Sequence, residues 1–429
     1  FRPFSIGRGH GRGHGHGKDR YNRAVTKRKV LTWIAVLYFA EGLPFGIAYD
    51  VWPVFFRTHG VSLREIGLMS LLSLPWTWKL VWAPLVDRFG SRQHWITPCL
   101  FVLGAATLAV VPQDPSHPSL LLWGILLLFT TASATQDIAI DAYAVDVAKP
   151  ETTGSINGTR VSAARVAMMV GGGGSVMLAG EIGWNPVWIA LAVLFFVLAV
   201  LAWNSPRVER SRTQRRLDLR PVLRWLLRWQ MVPVVAFVLL FKLGDSTLGR
   251  MVKPFWVDRG YSLTEIGAIS VTLGTILTIA GALAGGWFVD RYGIFRGLLW
   301  LGLTQLVSNL GYVAVAAVEL PRESIYAASI IESFTQGLGT AAFLSLLMNL
   351  CNKEHAASQY AILSALFALT RDVAGAFTGI GVEELGYAKF FALTTALALP
   401  GLALLPLIRP RIREAAEPGA DRASIIDGE

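Results

Sequence analysis

Nine ionisable residues stand inside stretches of the chain that are otherwise apolar: Glu41, Lys79, Asp137, Arg165, Lys242, Asp245, Glu332, Arg371 and Asp372. A charge in hydrocarbon costs about 3 kcal/mol on insertion scales, so such residues face a cavity or a partner and mark routes for solutes and ions. The cations Lys79, Arg165, Lys242 and Arg371 suit a solute bearing carboxylate or phosphate groups. Glu41, Asp137, Asp245 and Glu332 could exchange a proton in a low-dielectric site, with Asp141 and Asp372 beside them as further proton-coupling candidates. Gln136 and Gln336 could hydrogen-bond a sugar. Asp137 with Asp141 and Glu332 with Gln336 are spaced i, i+4, and Lys242 with Asp245 i, i+3, so each pair shares one helix face. The competing explanation is charge pairing that merely makes burial tolerable, as for Lys242 with Asp245 or Arg371 with Asp372. It weighs more for Asp141 and Asp146, nearer the end of their stretch.

The elements that hold these residues are membrane helices. With 53% hydrophobic and 16% charged residues over 429 positions, the chain is too apolar for a soluble protein of its length. Runs of about 20 apolar residues, enough to cross a core about 30 Å thick, recur along it. The expected spans are 30–56, 65–86, 95–112, 119–147, 154–179, 185–204, 229–257, 264–289, 297–318, 322–350, 356–382 and 388–408. A closed barrel would need alternating segments of about ten residues, which the sequence lacks. The formal charge of +10 reports topology. Lys and Arg outside the spans gather in both termini, the centre and one set of loops, leaving Arg57, Arg64, Arg259 and Arg322 to the opposite loops. That bias puts both termini and the centre in the cytoplasm and argues against a nucleic-acid partner. Residues 1–29, Gly-rich with His10, His14 and His16, are expected to be a disordered cytoplasmic tail; the glycines impose no metal-ligand geometry. No cleavable signal peptide, metal site or cofactor motif is expected, and Cys99 and Cys351 make no framework.

An internal repeat gives the organisation. Gly60–Gly67 reads GVSLREIG and Gly260–Gly267 reads GYSLTEIG, six of eight positions agreeing at an offset of 200. Val86–Gly90 (VDRFG) recurs as Val289–Gly293 (VDRYG), and Thr135-Gln136 as Thr335-Gln336. The fold class expected is therefore all-α, two pseudo-symmetric six-helix bundles at 30–204 and 229–408, joined by a linker at 205–228 and followed by a tail at 409–429. Such duplication belongs to transporters whose halves rock around a central site. Gly285–Gly293 with Arg296 resembles the loop signature of the major facilitator superfamily. Its charges, Asp87 and Arg88 in one half and Asp290 and Arg291 in the other, would form a gating latch. The third, sixth, ninth and twelfth spans carry no ionisable residue in their interiors, and these are the helices that face lipid in that fold.

Six segments carry a closer resemblance: Tyr38–Phe45 (YFAEGLPF), Trp78–Gly90 (WKLVWAPLVDRFG), Thr135–Asp146 (TQDIAIDAYAVD), Phe241–Asp245 (FKLGD), Gly337–Lys353 (GLGTAAFLSLLMNLCNK) and Ser358–Arg371 (SQYAILSALFALTR). Together they resemble the AmpG-type muropeptide permeases of bacteria. The resemblance implies import of N-acetylglucosaminyl-1,6-anhydro-N-acetylmuramyl peptides across the inner membrane, driven by the proton gradient, for cell-wall recycling. Acetyl-CoA or a siderophore, carried by relatives in the wider group, is the alternative solute. An enzyme is disfavoured because no Ser-His-Asp, metal-ligand or nucleotide constellation is present.

Overall fold

The computed structural model describes residues 15–148, 153–206, 225–226, 228–351 and 356–416. The expectations for 1–14, 207–224 and 417–429 lie outside the described residues. Within them every regular element is helical. Among the described residues ten helices are long and apolar enough to cross a membrane. We label them α1 (Arg28–Thr58), α3 (Arg92–Val110), α4 (Leu120–Val147), α5 (Gly154–Ile182), α6 (Trp184–Trp203), α7 (Trp229–Asp258), α8 (Leu263–Tyr292), α9 (Ile294–Ala317) and α10 (Glu323–Leu350), the tenth being Gln359–Ala403. That last stretch breaks at Gly386, whose φ of 74° only glycine adopts freely, and we call its parts α11 (356–385) and α12 (387–403).

The expected continuous span at 65–86 is instead a broken run, α2 (63–88), made of Leu63–Leu68, Met69–Ser73, Leu74–Trp78, Lys79–Val81 and Ala83–Arg88. Pro75 and Pro84 each lack an N–H and sit in the first turn of a new helical piece, so the hydrogen-bond ladder restarts twice. Helix also extends where tails were expected. The first helix begins at Gly15 and the last, Leu405–Ala416, passes the end of the expected final span. Extending an existing helix costs far less than nucleating one, which lets apolar spans run on into polar sequence.

Within the first half α1 packs on α5, and α3 on α4 and α6; within the second α8 and α9 pack on α10, and α7 on the stretch 356–403. The halves meet along α2 with α11 and along α5 with α8. Membrane helices gain little from apolar burial against one another, so close approach depends on small residues. At the first seam Gly67 meets Gly379, where an added methyl group would overlap the Leu63 carbonyl; at the second Gly173 meets Gly267. Gly42 and Gly281 similarly admit the carbonyls of Ala164 and Phe334. The four-glycine run lies in a π-helical turn, Val170–Gly174, beside π-helical Ile47–Val51 of α1 and Ile266–Leu273 of α8.

The repeated octapeptide explains both seams. Gly60 and Gly260 take φ of 82° and 73° to turn the chain. Ser62 and Ser262 then cap the next helix, each hydroxyl accepting from the N–H of Glu65 or Glu265 at 3.2 Å. The closing glycines, Gly67 and Gly267, are the seam residues.

The seams run from the end of the molecule poor in basic residues. There Arg57 on α1 clasps Asp258 on α7 through two bonds of 2.5 and 2.8 Å, and the Tyr387 hydroxyl donates to the same carboxylate at 2.7 Å. Nearby the Arg64 N–H donates to Glu383 at 3.0 Å. Gly379→Val should wedge α2 from α11 at a cost of about 1–3 kcal/mol. Its thermal unfolding midpoint in detergent should fall by several degrees, whereas Gly124→Val, at a position with nothing within 4 Å, should leave it unchanged.

Candidate functional site

The charged residues assemble into three groups. The first lies in the N-terminal half. Lys79 stands in the tight turn Lys79–Val81, between the two proline breaks of α2, and its ammonium reaches the Asp137 carboxylate on α4. Carboxylate oxygens of Glu41, Asp137 and Asp141 all lie within 4.8 Å of one another. The Tyr38 hydroxyl and an Arg160 N–H each donate to Asp141 Oδ1 at 2.7 Å, and the Arg160 guanidinium lies 4.7 Å from the Tyr38 ring centre. Glu41 Oε2 is buried with no hydrogen-bond partner among the described residues. Three carboxylates thus face two cations, Lys79 and Arg160, and the group carries one excess negative charge when all are ionised.

The second group is buried in the C-terminal half. Lys242 Nζ donates to Asp245 Oδ2 at 3.1 Å and to Gln305 Oε1 on α9 at 2.8 Å; Asn309 Nδ2, one helical turn along α9, donates to the other Asp245 oxygen at 3.0 Å. The bare backbone of Gly339 on α10 makes room for Gln305 and Lys242. Glu332 is also buried, with Gln336 Nε2 3.4 Å from its Oε1. Gln305 Nε2 and Asn309 Oδ1 are left without partners among the described residues, which suits a site that admits water.

The third group joins the halves. Asp372 on α11, fully buried, accepts from Arg371 Nε at 3.1 Å, from Arg250 of α7 at 3.2 Å and from Thr77 Oγ1 of α2 at 3.0 Å. Arg371 also donates to the Tyr49 hydroxyl of α1 at 2.9 Å. Asp50 meets Lys253 of α7 at 2.9 Å. Rings of Phe45, Tyr49 and Trp76 stack beside it, with centroids 4.5–6.2 Å apart.

Most of the sequence-derived candidates enter these groups. Glu41, Lys79, Asp137 and Asp141 join the first, Lys242, Asp245, Glu332 and Gln336 the second, Arg371 and Asp372 the third. Arg165 is exposed on α5 and makes no ion pair with described residues. Gln136 is fully buried, and neither its side-chain oxygen nor its nitrogen has a partner among the described residues. Of the latch expected in the VDR[FY]G repeat, the Asp87 side chain lies outside the described residues, Arg88 lies 5.7 Å over the Phe89 ring, and Asp290 and Arg291 are exposed without an ion pair to described residues. Cross-half ion pairs instead gather toward the opposite end. The expectation missed Tyr49, Asp50, Arg160, Arg250 and Lys253. Tyr38, Glu41, Phe45 and Tyr49 recur at three- and four-residue spacing, a stripe on α1 that would have pointed to two of the groups.

A family model described as the Major Facilitator Superfamily matches residues 34–374. The anhydromuropeptide permease of Escherichia coli K12 is 32% identical over 387 residues, covering 88% of this chain and 79% of that protein. A protein named putative transporter AmpG 4 from Rickettsia felis is 27% identical over 400 residues, covering 88% and 96%. A crystal structure of a bacterial homolog of the human lysosomal transporter Spinster, inward-facing and unoccupied, superposes with a TM-score of 0.72 at 14% identity, covering 92% of this chain and 99% of that one. The nucleoside transporter NupG gives 0.72 at 13% identity, covering 89% and 99%. At such identities these two structures speak for the fold, while the permeases match along most of the sequence. The chain belongs to the Major Facilitator Superfamily, among its AmpG-type muropeptide permeases.

Proposed function

We propose that the protein imports N-acetylglucosaminyl-1,6-anhydro-N-acetylmuramyl peptides together with protons, across a bacterial cytoplasmic membrane in which both termini are cytoplasmic. The observation that carries the substrate is 32% identity along most of the chain to a permease of anhydromuropeptides. The site chemistry supports it: cations from both halves suit peptide carboxylates, and stacked aromatic rings suit sugar faces. The proton enters through charge balance. Glu41, Asp137 and Asp141 against Lys79 and Arg160 become neutral on gaining one proton, so this group can exchange a proton as the halves rock. The six helices at 30–204 and those at 229–408 act as the rocking bundles. With Arg57 and Asp258 clasped, the basic-poor end is shut, and the route leads to the basic-rich side.

In proteoliposomes, labelled anhydromuropeptide should accumulate when the outside is acidic, and a protonophore should abolish accumulation; uptake indifferent to the protonophore would remove the coupling. Asp137→Asn should lower gradient-driven accumulation by roughly tenfold, the effect of about 1.4 kcal/mol, yet retain exchange of internal for external substrate. For orientation, a reporter active only outside the cytoplasm should be active when fused at Pro115 and silent when fused at Thr213. The reverse pattern would invert the topology.

A further inference from the structure

Two guanidiniums flank one tyrosine ring: Arg250 lies 4.9 Å and Arg371 5.3 Å from the centre of Tyr49. Both use the same carboxylate, Asp372, whose other oxygen is taken by Thr77. Arginine stays charged in proteins, so two cations share one acid and a positive charge is left over. The nearest further acid on α1, Asp50, is engaged by Lys253. A guanidinium held in low dielectric with half a counter-ion is costly unless an anion reaches it.

The two arginines differ in access. The Arg371 side chain is 31% exposed and Arg250 16%, whereas Asp372 is fully enclosed. The bare backbone of Gly375, one turn along α11, makes room for Arg250, whose Nε lies 3.3 Å from where a Cβ would stand. Asp372 lies seven residues from the seam residue Gly379, about 10 Å along the helix axis, and so sits beneath the closed seam at mid-depth. Trp76, stacked 5.9 Å from Tyr49, gives an apolar wall beside the pair.

We propose that Arg250 and Arg371 form a receptor for a carboxylate of the stem peptide, and that Asp372 is its positioning counter-ion, not a proton carrier. This rests on the muropeptide reading above. Asp372 holds both guanidiniums on one carboxylate oxygen, Thr77 and Tyr49 anchor that arrangement to the other half, and the unused N–H groups of Arg371 receive the substrate. A fork on a carboxylate makes two charge-assisted bonds, which an amide cannot match.

The test compares uptake of the anhydro-disaccharide peptide with the same compound after every carboxylate is converted to carboxamide. Wild type should show a KM about tenfold lower for the acid. Arg371→Gln and Arg250→Gln should bring the two KM values within about twofold while uptake of the amide persists, which shows that the variants fold. Tyr49→Phe, a milder change that keeps the ring, should raise KM for the acid severalfold and shift that for the amide by less than about twofold; a parallel rise for both compounds would overturn the anchoring role. Asp372→Asn should raise KM for the acid yet keep protonophore-sensitive accumulation; loss of that sensitivity would return Asp372 to the proton path and overturn its assignment. Equal KM values in wild type would overturn the receptor while leaving muropeptide transport intact. No uptake of either compound by wild type would overturn the transport reading and the receptor with it.

Discussion

A charge buried within a bilayer-spanning bundle needs an opposite charge or hydrogen-bond partners within reach, and that requirement helps decide which helices touch. The ammonium of Lys79 needs Asp137, so the break in α2 is turned toward α4. Lys242 needs both Asp245 and the amide oxygen of Gln305, which fixes α9 against α7 although α9 has no charge of its own in its interior. Asp372 collects donors from α2, α7 and its own helix. Apolar packing alone would choose poorly among these neighbours, because lipid tails satisfy an apolar surface as well as another helix does. Ion pairs and glycines supply the discrimination, one by attraction and the other by permitting contact.

The two devices are divided by position. Glycines line the seams where backbones of the halves come together, at Gly67 with Gly379 and at Gly173 with Gly267. Charged groups lie deeper, with Lys79 and Lys242 each in its own half. The Asp372 group binds the halves to each other at that depth through hydrogen bonds from Thr77 and to Tyr49. A rocking motion can therefore part the glycine seams without separating Lys79 from Asp137 or Lys242 from Asp245, and those two pairs travel with their halves.

Much of this was legible in the sequence. Apolar runs located the helices, the repeat announced two related halves, and isolated charges gave most of the three groups, because each signal is local or periodic. The breaks in α2 could have been read from Pro75 and Pro84, but the apolar run around them hid two restarts inside what looks like one span. Arg250, Asp50 and Lys253 escaped notice for another reason. They lie toward span ends, where a charge is unremarkable, and only their partners on other helices give them meaning. Pairing across 122 residues, as for Arg250 with Asp372, or across about 200, as for Asp50 with Lys253, leaves no local trace. The latch in the VDR[FY]G repeat was a reading of motif by analogy, and Asp290 and Arg291 are exposed there without an ion pair to described residues.

The clasp between Arg57 and Asp258 has no twin. Two hundred residues after Arg57 stands Val257, and two hundred before Asp258 stands Thr58. Neither half holds both members, so two copies of either present half could not form it. The clasp is therefore an asymmetric fastening on a repeated framework, one that each half can make only with the other.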